Sequence, residues 1–175
     1  MFNTILTATD DSEHSRKAIA VASDLAQKYG AQLIILHVIE EKRLSDDMLR
    51  LAETEHLIKP TLPVSPSQAA VAADTVIDMA RLKAGAADTY RVLEIFSRRF
   101  VEHARQIARE HDVSEIRTLV EEGDPADKIL TYGAREKADL IVLGSRGLGD
   151  LKGLLMGSVS HKVCQLASCT CIAVK

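Results

Sequence analysis

The segment of the 175-residue chain with the clearest chemical signal is a glycine-rich stretch near its end, GSRGLGDLKGLLMGS, which starts at Gly144 and holds five of the nine glycines. It directly follows the apolar segment Asp139–Leu143, so its backbone must turn sharply or approach another group closely. The stretch ends at Gly157 and Ser158, where we predict the start of a helix. First-turn amides and the helix dipole at such a start favour an anion, and the Ser158 hydroxyl can add a hydrogen bond. Phosphate is the natural ligand for this arrangement.

The glycine spacing differs from two widespread phosphate-binding patterns. GxxxxGK[ST] is absent, because no glycine–lysine pair in this segment precedes Ser or Thr, and GxGxxG fails at its third glycine. The spacing is instead G-x2-G-x9-G-S, from Gly144 through Gly147 to Gly157 and Ser158. Gly144 and Gly147 could wrap a phosphate, or they could form a tight turn without a ligand.

Charged side chains near this stretch leave two interpretations open. Arg146 and Lys152 could reach a bound phosphate or be solvated loop charges. Asp10 opens the polar run DDS directly after the β-rich segment Asn3–Thr9. Short polar side chains accept hydrogen bonds from first-turn amides, so Asp10 is a candidate helix cap as well as a candidate ligand contact.

Apolar segments of two kinds alternate along most of the chain. The predicted strands are Asn3–Thr9, Gln32–Val38, Glu115–Glu121, Asp139–Leu143 and Cys171–Val174, and the predicted helices are Glu13–Tyr29, Tyr90–His111, one that starts at Asp124, and about Ser158–Leu166. The second strand, QLIILHV, is a nearly continuous apolar run of the kind found in parallel sheets covered on both faces. The alternation predicts an α/β, Rossmann-like fold with an open five-stranded parallel sheet and helices on both faces.

Two of these helices carry further signals. The helix that starts at Asp124 follows Gly123, and we predict that Asp124 caps it and that Pro125 occupies its first turn, where no amide donor is missed. The helix over Tyr90–His111 is amphipathic. Its apolar face is marked by the spacing of Leu93, Phe96, Phe100, His103 and Ile107.

We predict a single domain over residues 1–175 with an insertion at about 40–88. Three of the four prolines, Pro60, Pro63 and Pro66, fall within seven residues and must break any helix there. The flanking segments Leu44–Ile58 and Gln68–Lys83 have helical composition. The insertion is therefore predicted to be helical with a proline-rich bend at 60–66.

Composition excludes several classes of protein. A net charge of −3 and 3% aromatic residues leave little to neutralise a nucleic-acid backbone or to stack on bases. No apolar run approaches the ~20 residues that span a bilayer, and the amino terminus lacks the pattern of a signal peptide. We expect a soluble, cytoplasmic protein with no membrane insertion. Cys164, Cys169 and Cys171 do not suggest a disulfide framework; we expect buried thiols, with a redox or metal role as the alternative.

The combination of these motifs resembles the universal stress protein (UspA-like) family. The G-x2-G-x9-G-S spacing matches that family's ATP-binding signature at every position. Three further features agree with it: the first strand ending in Asp10 with Ser12 and Ser15 following, the second strand ending at Leu36-His37-Val38, and the helix start at Gly123-Asp124-Pro125. The resemblance covers about Phe2–Val38 and Tyr90–Lys175. It implies the sheet order 3-2-1-4-5, in which the carboxyl ends of the first and fourth strands face one crevice, where ligands bind in open α/β sheets.

The resemblance implies an adenine-nucleotide site in that crevice. Asp10 would help to hold the adenosine moiety, and the main chain around Val38 would lie against the adenine. The residues implied for the ribose and phosphates are Gly144, Arg146, Gly147, Gly157, Ser158 and Val159. ATP is the expected ligand and a requirement for Mg²⁺ is left open; AMP or cyclic AMP is the alternative, because the motif does not count phosphates.

We therefore expect a nucleotide-dependent regulatory module of the stress response that is not an enzyme. A slow ATPase or nucleotidyl transferase is the alternative, with Asp10, Asp11 and Asp150 as candidate metal ligands, but the chain lacks a P-loop lysine and an evident base. An interaction module that does not bind ATP is a third interpretation. The resemblance also implies a homodimer through the last strand, Cys171–Val174, and the sequence leaves the protein partner unidentified.

Overall fold

The computed structural model describes residues 1–40, 86–148 and 156–175, together with two short strands at 58–59 and 77–78. The strands are β1 (Thr4–Ala8), β2 (Gln32–Ile39), β3 (Ile58–Lys59), β4 (Ile77–Asp78), β5 (Ile116–Glu122), β6 (Leu140–Gly144) and β7 (Thr170–Val174). The helices are α1 (Glu13–Tyr29), α2 (Ala86–Glu110), α3 (Pro125–Arg135) and α4 (Ser158–Leu166).

The main sheet has five parallel strands in the order β5-β2-β1-β6-β7. Numbered within this sheet alone, the order is 3-2-1-4-5, which confirms the predicted fold class and topology. Strand β1 lies at the centre, where Leu6 pairs with Ile34 of β2 and with Ile141 of β6. The carboxyl ends of β1, β2 and β6 therefore meet at one edge of the sheet.

The apolar run in β2 is explained by helices on both faces of the sheet. Leu33 and Ile35 point to the face that α1 and α2 cover, while Ile34 and Leu36 point to the face that α3 and α4 cover. All four side chains are fully buried, as expected for a strand inside a parallel sheet. The first face is lined largely by small helix residues, which let the helices approach closely: Ala18, Ala22, Ala26, Ala104 and Ala108.

Most predicted boundaries agree closely with the structure. Helices α1 and α4 begin and end at the predicted residues, and the five strands of the main sheet differ by one residue at either end. Helix α2 begins at Ala86, four residues before the predicted start at Tyr90. Its first residues include two alanines, which have the strongest intrinsic preference for a helix, and the prediction from apolar spacing alone missed them.

The chain divides into two compact units, which are Met1–Glu41 with Ser97–Lys175, and Lys42–Phe96. The first contains the whole main sheet. In the second, β3 and β4 pair in parallel over two residues each. The prediction of a helical insertion is wrong at these residues. Each strand begins with isoleucine, whose β-branched side chain favours the extended conformation. The proline-rich bend at 60–66 lies outside the described residues, and the single domain with an insertion at about 40–88 stays a prediction. No helix in the described ranges is both long and apolar enough to cross a bilayer.

Candidate functional site

The loops after β1 and β6 meet at the carboxyl edge of the sheet. Asp10 Oδ2 accepts a hydrogen bond from the amide of Leu148 at 3.1 Å. Asp10 Oδ1 accepts one from the amide of Ser12, also at 3.1 Å. The carboxylate of Asp10 therefore holds the glycine-rich loop and its own loop together. The cap of α1 is Ser12, whose side chain accepts from the amide of Ser15, so Asp10 is not the helix cap.

Two of the signature glycines are required by this packing. A Cβ on Gly144 would lie 2.8 Å from main-chain atoms of His14 and Ser15 at the start of α1. A Cβ on Gly147 would overlap Asp10 Oδ2. The loop can approach α1 and Asp10 this closely only because both positions lack a side chain.

Gly157 differs from those two glycines. It precedes α4 with a φ of −76°, a conformation open to any residue, and it makes no side-chain cap. A Cβ there would meet its nearest neighbour, the carbonyl oxygen of Ser145, at an ordinary 3.5 Å. The described surroundings therefore do not require glycine at this position, because a Cβ would make only ordinary van der Waals contacts. In that turn Ser158 is exposed and Val159 is half-buried.

Ser145 connects the glycine-rich loop to three other elements. It is 2% exposed, and its amide donates to Val174 O of β7 at 2.6 Å. Its carbonyl accepts from the Gly157 amide at 2.7 Å and from the Ser160 hydroxyl at 2.9 Å. Its own hydroxyl lies 3.1 Å from His14 Nδ1 on α1. Ser145 was not among the predicted site residues. The signal that could have identified it is its position as a polar residue directly after a buried strand.

The end of β1 is fixed from β2 by a buried histidine. His37 Nδ1 donates to Thr9 O at 2.7 Å, and its ring meets Phe100 of α2 edge-on at 5.4 Å. Burial lowers the pKa of His37, and the hydrogen bond to Thr9 opposes this only in part, so the imidazole is neutral at physiological pH. His37 is thus a buried histidine near the end of β2. Val38 follows it at the same edge, half-buried and paired in register with Glu121.

An open cleft of about 320 Å³ lies between the glycine-rich loop and the first turn of α1. Its lining residues are Asp11, Ser12, Glu13, His14, Arg16, Arg146, Gly147 and Leu148. Of the predicted nucleotide contacts, Arg146 and Gly147 line this cleft. Val38, Ser158 and Val159 do not, so the cleft reaches only one end of the predicted site.

Neither a metal cluster nor a disulfide appears in the part of the chain that the structure describes. Cys164, Cys169 and Cys171 are free and partly buried. Burial, and then the neighbouring thiol of Cys164, raise the pKa of Cys171 to about 12. Since the thiolate is the reactive form, Cys171 is a poor nucleophile.

The fold and the loops at its carboxyl edge define a doubly wound α/β protein, whose first and fourth strands in the main sheet end side by side at that edge. The chain matches the universal stress protein family over residues 1–175. The universal stress protein YxiE of Bacillus subtilis is 33% identical over 177 residues, which span 100% of both chains. The chain belongs to the universal stress protein family.

Solved structures of universal stress proteins share this fold. UspA of Lactobacillus plantarum superposes with a TM-score of 0.62 at 21% identity, over 99% of this chain and 97% of that one. A universal stress protein in complex with cAMP gives 0.59 at 23% identity, over 99% and 97%. A universal stress protein from Archaeoglobus fulgidus in complex with dAMP gives 0.60 at 18% identity, over 99% and 98%. At these identities the similarity shows the fold.

Proposed function

We propose that this protein binds an adenine nucleotide, with ATP as the expected ligand, at the carboxyl ends of β1, β2 and β6. The observation that carries the proposal is the start of α4. There Gly157 leaves the first-turn amides without a side-chain cap, and its φ of −76° gives no backbone reason for a glycine. Two solved proteins of the same fold hold adenine nucleotides, cAMP and dAMP, which supports adenine as the base.

Each predicted contact has a role that suits its chemistry. The carboxylate of Asp10 can accept hydrogen bonds from ribose hydroxyls, and the main chain around Val38 would lie against the adenine. The first-turn amides of Ser158 and Val159 would face the phosphates, where the helix dipole favours negative charge. Arg146, which lines the adjoining cleft, would add a positive charge on the phosphate side.

The role we propose is regulation rather than catalysis. Rapid phosphoryl transfer needs metal ligands, a positioned base or water, and groups that stabilise the moving charge. Of the candidate metal ligands, Asp11 is already engaged by His103 and Arg16, and Asp150 lies outside the described residues. In the regulatory role, nucleotide binding would change a surface that an unidentified protein partner recognises.

The partner surface that we propose first is a second copy of this chain. Strand β7 is an outer strand of the sheet, with partly buried apolar residues at Ile172 and Val174. The backbone groups on the outer side of such a strand favour pairing with another strand. Antiparallel pairing of two β7 strands would form a homodimer, and Ser145, which binds Val174 O, would connect that interface to the nucleotide loop.

The test is to identify nucleotide released from heat-denatured protein and to titrate wild type and Gly157→Asp with ATP, AMP and cyclic AMP, each with and without Mg²⁺. Wild type should bind close to one nucleotide per chain. A carboxylate beside the phosphates should weaken ATP binding ~100-fold or more through like-charge repulsion. The ligand-free variant should stay folded, because a Cβ at this position meets its nearest atom at an ordinary 3.5 Å and aspartate is a good helix cap.

Gly157→Asn is the matched control, because it has the same shape without the charge. It should lose less affinity than Gly157→Asp. Equal ATP binding by Gly157→Asp and wild type would refute the proposed phosphate position. If wild type binds none of the three nucleotides, the binding proposal itself is wrong. ATP turnover that Gly157→Asp abolishes would replace the regulatory role with the enzymatic alternative.

A further inference from the structure

We propose that His103, on helix α2, is a positioning residue for the nucleotide crevice and that it acts through Asp11. The inference rests on the proposed function, since it concerns the affinity of that same site. His103 Nδ1 donates to Asp11 Oδ1 at 2.7 Å, across 92 residues of sequence. Asp11 directly follows Asp10, the carboxylate proposed to hold the adenosine moiety.

The backbone of Asp11 is held partly from outside its own loop. Its φ of +60° is left-handed, a conformation that a residue with a Cβ adopts at a cost. Three contacts hold it there. The amide donates to Thr9 Oγ1 at 3.1 Å, Oδ1 accepts from His103, and Oδ2 lies 3.6 Å from Arg16 Nη1. The contact with His103 is the shortest of the three and the only one that comes from α2.

This support bears directly on Asp10. The two carboxylate oxygens of Asp10 accept from the amides of Ser12 and Leu148, on either side of the crevice. If the backbone of Asp11 relaxed towards a right-handed conformation, the amide of Ser12 would turn and the carboxylate of Asp10 would lose its fixed direction. Nucleotide binding would then have to reorder this loop, which lowers affinity.

Helix α2 meets the end of β1 through a second contact as well. Phe100, one turn before His103, packs edge-on against His37, which donates to Thr9 O. The residues on either side of Asp10 are therefore held by neighbouring residues of α2. The apolar spacing of this helix predicted His103 on its apolar face, which is wrong: the side chain is 44% exposed, and its ring reaches the carboxylate of Asp11.

The chain contains a matched control for this contact. His111 Nδ1 donates to Asp24 Oδ1 at 2.6 Å, which is the same pairing chemistry between the carboxyl end of α2 and helix α1. Asp24 lies roughly 16 Å along α1 from the helix start, at 1.5 Å per residue. Loss of that pair should therefore affect stability and leave the nucleotide crevice unchanged.

The experiment compares ATP affinity by calorimetry, and stability in urea, for wild type, His103→Ala, His103→Gln and His111→Ala. His103→Ala should bind ATP roughly 5- to 10-fold more weakly, the size of one lost hydrogen bond. His103→Gln keeps a donor and should recover to within about 2-fold of wild type. His111→Ala should lose stability comparably and keep the wild-type affinity.

A second arm tests whether the effect passes through Asp11. Glycine takes a φ of +60° without strain and has no carboxylate, so His103→Ala should have no further effect on ATP affinity in an Asp11→Gly background. A further loss there, an equal loss in His111→Ala, or wild-type affinity in His103→Ala would each overturn this inference alone. If wild type binds no adenine nucleotide, the proposed function fails and this inference falls with it.

Discussion

Helices α3 and α4 begin in opposite ways, although both follow a strand of the same sheet. Asp124 caps helix α3: its side chain accepts a hydrogen bond from the Asp127 amide at 2.9 Å, and Pro125 is the first residue of the helix. The same position before helix α4 is occupied by Gly157, which has no side chain to cap the helix. The start of α3 is satisfied by its own sequence, whereas no side-chain cap is seen among the described residues for the first-turn amides of α4.

The electrostatic surroundings sharpen this difference. Lys162 Nζ of α4 lies 3.5 Å from Asp124 Oδ1 and 2.7 Å from Asp127 Oδ1. The lysine of one helix therefore balances the negative charge at the start of the other. An anion would meet two carboxylates at the start of α3. At the start of α4 it would meet amides and the Ser158 hydroxyl. An anionic ligand is therefore accommodated more easily at a helix start that has no cap of its own.

The largest loss of stability should come from Gly144→Ala. The added methyl group would lie 2.8 Å from main-chain atoms of α1, and the loop that carries Ser145 and anchors Gly157 would have to shift. We expect the free energy of unfolding to fall by about 1–3 kcal/mol, measured by urea denaturation. Gly157→Ala, where the nearest atom is 3.5 Å away, should cost far less. Equal losses in the two variants would contradict the close approach at Gly144.

An intermediate effect is expected from Asp124→Ala. Removal of the cap should lower the free energy of unfolding by about 1 kcal/mol, since the Asp127 amide loses its partner. ATP affinity should not change, because this helix start plays no part in the proposed site. A calorimetric titration with a clear loss of affinity would show that the two helix starts are not independent.

The stability difference between wild type and Asp124→Ala should also depend on pH. The hydrogen bond from the Asp127 amide is the main cause that holds the pKa of Asp124 below its usual range. Because the folded pKa is lowered, this stabilisation is complete above the unfolded pKa and is lost as pH falls through the folded one. The difference should therefore be constant near neutral pH and shrink below about pH 4. Urea denaturation across this range measures it, and a constant difference down to pH 2 would argue against the charged cap.

The smallest effect on stability is expected from Gly157→Ser, which gives α4 the kind of cap that α3 has. The ligand-free protein should become more stable by a few tenths of a kcal/mol, roughly the gain when serine replaces a capping glycine. ATP affinity should fall several-fold, since the new hydroxyl competes for the first-turn amides. Stability and affinity would thus change in opposite directions. A serine variant that gains stability and binds ATP as wild type does would separate the cap from the ligand site.

Local patterns predicted most of the fold. The strands of the main sheet and helices α1 and α4 follow from apolar periodicity, and the start of α3 follows from its cap at Asp124. Within the site, the signature glycines and Asp10 were recognisable because their spacing is a property of the sequence. The contacts of Ser145 with His14 and of Asp11 with His103 were not, because their partners are 131 and 92 residues apart.

The sequence by itself determined the order of strands and helices, the family resemblance and the position of the candidate crevice. These depend on residues near one another in the chain, whose periodicity and turn preferences are local properties. Only the tertiary structure decided which glycines are needed for packing, Gly144 and Gly147, and which position would accept a Cβ, Gly157. It also decided that Asp11 is held by His103. Those answers depend on distances across the sheet, which exist only once the strands have paired and the helices have packed on them.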